Sequence, residues 1–168
     1  MRSVALAVTI LCLAGVGQAM GADAWNLPGE QPRVVEGKVV DILCELAHDC
    51  PAHCGAGKRQ LGILTDVGEL VMAAKGGVLF AGPVLDLLPY CGHRIQADGL
   101  WLPNPTMHLY FVQYLRSNPS DQWQPADAFI KDWTARNGPA EDWQRADPHV
   151  QAEIAKKGKL GIPGLAPQ

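Results

Sequence analysis

Between residues 34 and 116, apolar and polar positions follow one another in short runs that predict five β-strands and one short helix. The expected strands are rich in β-branched, aliphatic or aromatic residues and cover residues 34–43, 60–65, 69–74, 92–102 and 106–115. Asp66-Val67-Gly68 separates the second and third strands and predicts a three-residue hairpin loop. The short helix is expected from Pro83 to about Leu88, because proline is favoured at the first helical position.

Two glycines interrupt this pattern. Gly37 lies in the middle of the first predicted strand, and Gly99 lies in the fourth. Glycine inside a strand is typical of a bulge or a tight bend. We therefore expect a bulge or sharp bend at Gly37 and a bend at Gly99.

The order strand, strand, strand, short helix, strand, strand is that of the small five-stranded Greek-key barrel called the OB-fold. The stretch also resembles small exported bacterial OB-fold proteins that carry a cysteine-rich loop after the first strand. The residues behind this resemblance are Val-Val-Glu-Gly-Lys-Val-Val-Asp at 34–41, Gly68 in the hairpin, and Gly-His-Arg-Ile-Gln-Ala-Asp-Gly at 92–99. The resemblance implies a mainly β fold, an OB-like barrel over residues 34–116, and it does not imply a reaction.

Residues 117–168 form a tail of different composition, which we expect to add two helices to the barrel. The first is predicted over residues 126–136, and the second over residues 148–157, with Asp147 as its cap. Large aromatic side chains are ordinarily buried. We therefore expect packing on the barrel, rather than docking to a partner, for three tryptophans spaced by ten: Trp123, Trp133 and Trp143.

The amino-terminal residues 1–24 are predicted to be an export signal. Arg2 is followed by a short apolar run over residues 4–16, and small residues fit cleavage after Ala19 or Ala24. The run is too short to span a bilayer, so the mature chain is expected not to cross the membrane. Residues 25–33 hold two prolines and a glycine and predict an extended lead-in. The expected location is the periplasm.

Composition narrows the possible partners. The chain has 168 residues, a formal net charge of -3 and 14 lysines and arginines that form no basic stripe. Nucleic acid is therefore not an expected partner, because phosphate binding depends on clustered positive charge. No established catalytic motif is found in the sequence.

The chemistry-bearing residues concentrate in one stretch, residues 44–55. It holds three of the five cysteines and two of the five histidines. After signal cleavage four cysteines remain, an even number that is typical of disulfides in an exported chain. In an OB barrel the first and fourth strands pair, so Cys91 should lie near Cys44 at one end of the barrel. We expect Cys91 to bond Cys44 or Cys54. A bond between Cys50 and Cys54 is less favourable, because Pro51 and Gly55 predict one helical turn that places these two side by side.

Two alternatives stay open for this stretch. Thiolates and imidazoles suit copper or zinc, and the ligands of such a site would be Cys44, His48, Cys50, His53, Cys54 and Cys91. The spacing matches no zinc-finger pattern, and no other cofactor is indicated. Cys50-Pro51 is also similar to part of a thioredoxin-type motif, with a spacing one residue too long. The leading prediction is a non-catalytic periplasmic accessory or binding module for a protein partner or small ligand. A metal-binding protein and a thiol-disulfide oxidoreductase are the alternatives.

Overall fold

A computed structural model describes residues 21–106 and 108–158, and β-strands form its centre. In chain order the strands are β1 (Gln31–Asp41), β2 (Leu61–Thr65), β3 (Leu70–Lys75), β4 (Arg94–Leu102), β5 (Leu109–Arg116) and the short β6 (Gln124–Pro125). The helices are α1 (Ile42–Ala47), α2 (Val84–Leu87), α3 (Ala128–Asn137), α4 (Trp143–Ala146) and α5 (Pro148–Lys157). Two 3₁₀ turns cover Cys54–Gly57 and Leu88–Tyr90.

The strands close into a mixed barrel. Their order is β3-β2-β1-β4-β5-β6, and β3 also pairs with β5 in parallel, which joins the two sides of the sheet. The other neighbouring strands are antiparallel. The predicted fold is therefore confirmed: a mainly β, OB-like barrel with a short helix between β3 and β4 and helices at its carboxyl end. The strand β6 and the helix α4 were not predicted.

The barrel interior is filled by aliphatic residues from alternate strand positions, as the period of two requires. Val39, Leu61, Ile63 and Val71 are fully buried. Tyr110 is also fully buried, and its hydroxyl oxygen lies 2.7 Å from the carbonyl oxygens of both Arg33 and Ala97, to one of which it donates its single proton. Burial raises the pKa of this phenol. Tyr110 therefore has a structural role inside the barrel.

The two strand glycines have different roles. The β4–β5 register shifts at Gly99 because Gln113 is an extra residue on β5, so a bulge of β5 lies opposite Gly99, and the bend expected in β4 itself stays a prediction. At Gly37 the register with both neighbouring strands is continuous, so no bulge is present there, and a bend at Gly37 stays a prediction. A Cβ at Gly37 would overlap the backbone carbonyl of Leu64. Gly37 instead lets β2 approach β1 closely.

The helical tail packs on the barrel through its own apolar cluster. Trp133 and Trp143 are 2% and 9% exposed and contact Val78 and Ala81 in the β3–α2 loop. The indole N–H of Trp133 donates to the Asp147 carboxylate at 2.6 Å, and that of Trp143 donates to the carbonyl of Leu79 at 3.1 Å. The packing predicted for these two tryptophans is confirmed. The third, Trp123, is half-buried, with the Arg116 guanidinium 4.1 Å from its ring centroid.

The lead-in before β1 is held by hydrogen bonds. The carboxylate of Glu30 accepts from the backbone N–H groups of Trp25, Asn26 and Leu27 at 3.0–3.2 Å. Gln113 on β5 exchanges two hydrogen bonds with the backbone of Asp23, at 2.7 and 2.8 Å. Residues 25–30 thus form a turn, in which the Glu30 N–H donates to the carbonyl of Leu27 at 3.1 Å, so the extended conformation predicted for this segment is wrong. Gln113 fixes the segment to the barrel.

Parts of three predictions fall outside the described residues. Residues 1–20 of the predicted signal, Met107 of the fifth predicted strand and residues 159–168 of the tail are not described. In the part of the chain that the structure does describe, no helix is long and apolar enough to cross a bilayer.

Candidate functional site

The cysteine-rich segment begins with α1, a helix that was not predicted. The Asp41 side chain ends β1 and caps α1 by accepting from the backbone N–H groups of Leu43 and Cys44, at 2.9 and 3.2 Å. The helix ends at His48, which adopts a left-handed conformation at φ 57°. Cys44 therefore lies in the first turn of a helix, whereas the sequence predicted that it would close the first strand.

The helical turn predicted over residues 51–54 is wrong. His53 is extended, at φ -120° and ψ 129°, and the 3₁₀ turn begins one residue later at Cys54. Gly55 and Ala56 have positive φ, which no ordinary helix contains. The physical reason is that the chain forms its helix earlier. Capping by Asp41 starts α1 at Ile42, and the stretch around Pro51 then serves as the return connection to β2.

Two disulfides organise this segment. Cys44 bonds Cys50, with Cα atoms 4.3 Å apart, and Cys54 bonds Cys91, with Cα atoms 5.8 Å apart. The second bond follows from the barrel, because Cys91 lies beside Val39 of β1 just before β4. Both the gathering of the four cysteines at one end of the barrel and the expected partner of Cys91 are confirmed.

Arg59 connects the segment to the start of α1. Its guanidinium donates to the backbone carbonyl and side chain of Asp49, at 2.6 and 3.1 Å. Nη1 of the same group lies 3.8 Å from Oδ2 of Asp41, a buried oxygen with no hydrogen-bond partner among the described residues. Arg59 therefore partly neutralises a buried carboxylate and holds the Cys50 end of the segment beside α1.

Five of the six predicted metal ligands lie within residues 44–54, and the barrel brings Cys91 to them, but the four sulfurs are paired in two disulfides. A disulfide sulfur is not the thiolate that copper or zinc binds. Within residues 21–106 and 108–158, no group of three or more histidine, cysteine, aspartate or glutamate side chains is arranged to hold a metal ion. Ligation involving His48 and His53 stays a prediction for the reduced protein. So does thiol exchange.

An apolar groove of about 400 Å³ opens beside α1, and sequence reasoning missed it. Its lining comes from α1, from the outward positions of β3 and from the β4–β5 loop: Ile42, Leu46, Leu70, Met72, Asn104, Pro105, Thr106 and His108. Leu70 and Met72 face this groove because Val71 and Ala73, between and after them, point into the core. Leu46 is 68% exposed, an unusual position for a large apolar side chain.

A polar group marks one end of the apolar groove. His108 Nδ1 lies 2.8 Å from Oε1 of Glu69, so the ring donates through Nδ1 to the carboxylate. The imidazole also contacts Trp101, with the ring centroids 4.6 Å apart. These two contacts fix the ring orientation and leave Nε2 for a ligand.

Some of the signals for this groove are present in the sequence. Leu43 and Leu46 lie between the acidic Asp41 and His48, and this pattern is typical of a short amphipathic helix. The first strand was predicted to continue through Leu43, and for this reason the helix was not predicted. The distance between α1 and the β4–β5 loop depends on barrel closure, which no local pattern indicates.

Comparison of the chain with protein-family models, with curated proteins and with solved structures gives no match. What the protein binds is therefore inferred from the geometry of the groove and of the disulfides.

Proposed function

We propose that this protein is a non-catalytic, extracytoplasmic binding module that holds an apolar segment of a partner protein in the groove beside α1. The observation that carries this proposal is the position of Leu46, which is largely exposed and lines a groove whose wall is stapled by a disulfide. OB-folds bind ligands on the surface formed by strands two and three and the loops after strands one and four. The groove lies at that place, and this correspondence is a fold-level analogy.

The chemistry of the lining favours a peptide. Leu46, Leu70 and Met72 offer apolar contact, and methionine adapts to side chains of different shape. The polar end formed by Asn104, Thr106 and His108 offers hydrogen bonds to a backbone or a short polar side chain. The net charge of -3 does not suit a polyanionic ligand. A short apolar segment with free backbone groups satisfies both parts of the groove.

We also propose export to the periplasm, with signal cleavage after Ala19. Two disulfides are compatible with an oxidising compartment. The backbone of Ala22 hydrogen-bonds the buried Asp98, and Ala22 itself is 9% exposed. Cleavage after Ala24 would remove these contacts, whereas cleavage after Ala19 preserves them. The mature protein purified from the periplasm should therefore begin at Met20, as intact-mass spectrometry would show. A start at Trp25 would contradict this assignment.

Two leucines on the same short helix provide a matched test of the groove. Leu46 lines it, whereas Leu43 is 48% exposed and does not. Binding of the oxidised protein to an array of short peptides rich in leucine, methionine and phenylalanine is measured for Leu46→Asp and Leu43→Asp. We expect the first variant to lose binding and the second to keep it. Equal binding by both variants, or no preference for apolar over polar peptides, would refute the proposal.

A further inference from the structure

A second cleft of about 480 Å³ lies between the lead-in and the helical tail, and it shares no lining residue with the apolar groove. Three segments form it: residues 24–26, residues 77–79 and residues 141–144. Its volume falls within the range of about 300–1,000 Å³ that is usual for small-molecule sites. The cleft is therefore large enough for a small ligand.

Two indole rings are fixed at this cleft. Trp25 is half-buried and is supported from behind by Phe111, with the ring centroids 5.5 Å apart. Trp143 is held by its hydrogen bond to the carbonyl of Leu79 and by Phe129, at a centroid distance of 4.7 Å. Rings held in this way lose little conformational entropy when a ligand packs on them.

The lead-in is ordered by polar contacts more than by apolar burial. The Glu30 carboxylate gathers three successive N–H groups, and within this turn Asn26 has a positive φ of 57°. Asparagine adopts this left-handed conformation more readily than most residues, so the turn forms without strain. The arrangement places both Trp25 and Asn26 in the wall of the cleft.

Polar side chains complete the lining. Asn26, Glu141 and Gln144 all line the cleft, and their side chains hydrogen-bond no other residue in the described part of the chain. Together they offer amide donors, amide acceptors and a carboxylate. Glu141 carries the sole charge among the described lining residues, and the Lys75 ammonium lies 5.7 Å from the Trp25 ring centroid. The two opposite charges favour neither an anionic nor a cationic ligand.

We propose that this cleft is a binding site for a neutral sugar. A pyranose ring presents an apolar C–H face that can pack on an indole, and a rim of hydroxyl groups that both donate and accept hydrogen bonds. Trp25 supplies the aromatic surface, and Asn26, Glu141 and Gln144 supply partners for the hydroxyl groups. A quaternary ammonium ion would also suit an indole beside a carboxylate, but it has no N–H group to donate and would leave the two amides unused.

Titration of the oxidised mature protein with cellotriose, maltotriose and chitotriose tests the proposal, with calorimetry and ligand-observed nuclear magnetic resonance as readouts. We expect at least one of these sugars to bind. Trp25→Ala should weaken that binding about tenfold or more. Gln144→Ala, which removes no internal hydrogen bond, should weaken it several-fold and keep the fold intact. The matched control is Trp123→Ala, which removes a tryptophan outside the cleft and should leave binding unchanged.

Three results would overturn the assignment. One is no binding of any of these sugars at about 10 mM. The second is sugar binding that Trp25→Ala and Gln144→Ala leave unchanged. The third is binding of tetramethylammonium in preference to the sugars, since the site would then be a cation site. Leu46→Asp should bind the sugar normally, so failure of the peptide proposal and failure of this one are distinguishable.

Discussion

At the scale of single residues, Asp86 is a buried charge that the fold only partly satisfies. It is 6% exposed, and its Oδ1 accepts from the backbone N–H of Ala128 at the start of α3. Its Oδ2 is buried without a hydrogen-bond partner among the described residues. A Cβ placed on Gly76 would lie 3.1–3.5 Å from this oxygen and from the carbonyls of Gly82 and Ala126, so oxygens are crowded here. Burial raises the pKa of Asp86.

This pKa shift predicts how stability depends on pH. Because the native pKa lies above the unfolded one, the wild-type protein loses stability as the pH rises from the unfolded value through the native value. Asp86→Asn keeps the acceptor for Ala128 and adds donors toward the crowded carbonyls. We expect this variant to be about 1–3 kcal/mol more stable at pH 7. The difference should disappear in acid, where wild-type Asp86 is protonated. Urea unfolding at several pH values measures it, and a gain that grows in acid would contradict the argument.

Substitution of Gly99 by alanine is expected to have a large effect on the free energy of unfolding. A Cβ at this position would overlap the carbonyl oxygen of Phe111, next to the point where the β4–β5 register shifts. Gly99→Ala must shift one of two central strands, and we expect it to lower the free energy of unfolding by more than about 2 kcal/mol. Gly82→Ala is the control, since nothing lies within 4 Å of a Cβ there. Similar denaturation midpoints for the two variants would show that the barrel adapts to the added methyl group.

At the scale of secondary-structure elements, α1 depends on the Cys44–Cys50 disulfide for its stability. The helix has six residues, too few to be stable alone, and no basic residue lies in its last turn. The Cys44–Cys50 bond joins the helix to the chain just beyond its left-handed end at His48. Cys44→Ser with Cys50→Ser should therefore cause α1 to fray and should weaken peptide binding in the apolar groove.

Hydrogen exchange provides a readout of α1 that does not depend on the ligand. Amide protons of residues 46–48 should exchange faster in the double variant, while those of β4 should keep their protection. Unchanged protection of α1 would mean that Asp41 and packing of Ile42 are sufficient to hold the helix.

At the scale of the whole molecule, the two disulfides should differ in their contribution to stability. Cys54–Cys91 joins residues 37 apart, and Cys44–Cys50 joins residues 6 apart. In the loop-entropy description the longer bond contributes about 4 kcal/mol and the shorter about 2 kcal/mol. Cys54→Ser with Cys91→Ser should accordingly lower the denaturation midpoint more than the other pair does, as guanidinium unfolding can show. The reverse order would indicate that the short bond supports more than α1.

The sequence predicted the barrel more fully than the site. The alternation in β3, the aromatic and β-branched composition of β5 and the turn at residues 66–68 all reflect local preferences, and the fold retains these elements. The possible partners of Cys91 could be narrowed to Cys44 and Cys54, because the strand order brings the end of the first strand close to the start of the fourth. The groove could not be foreseen in the same way, because Leu46 and His108 are 62 residues apart and meet only through barrel closure. The lead-in was predicted as a plain extended segment, since the contacts of Glu30 and Gln113 leave no periodic pattern.

Closure of β3 on β5 also limits how a partner can be recognised. Both sides of β3 are already occupied, by β2 in one direction and by β5 in the other. An incoming chain therefore cannot extend the sheet at this strand by main-chain pairing. Affinity must come from the side chains that α1, the outward face of β3 and the β4–β5 loop present to the groove. Selectivity can therefore be retuned there one substitution at a time while the hydrogen-bonded frame is left untouched.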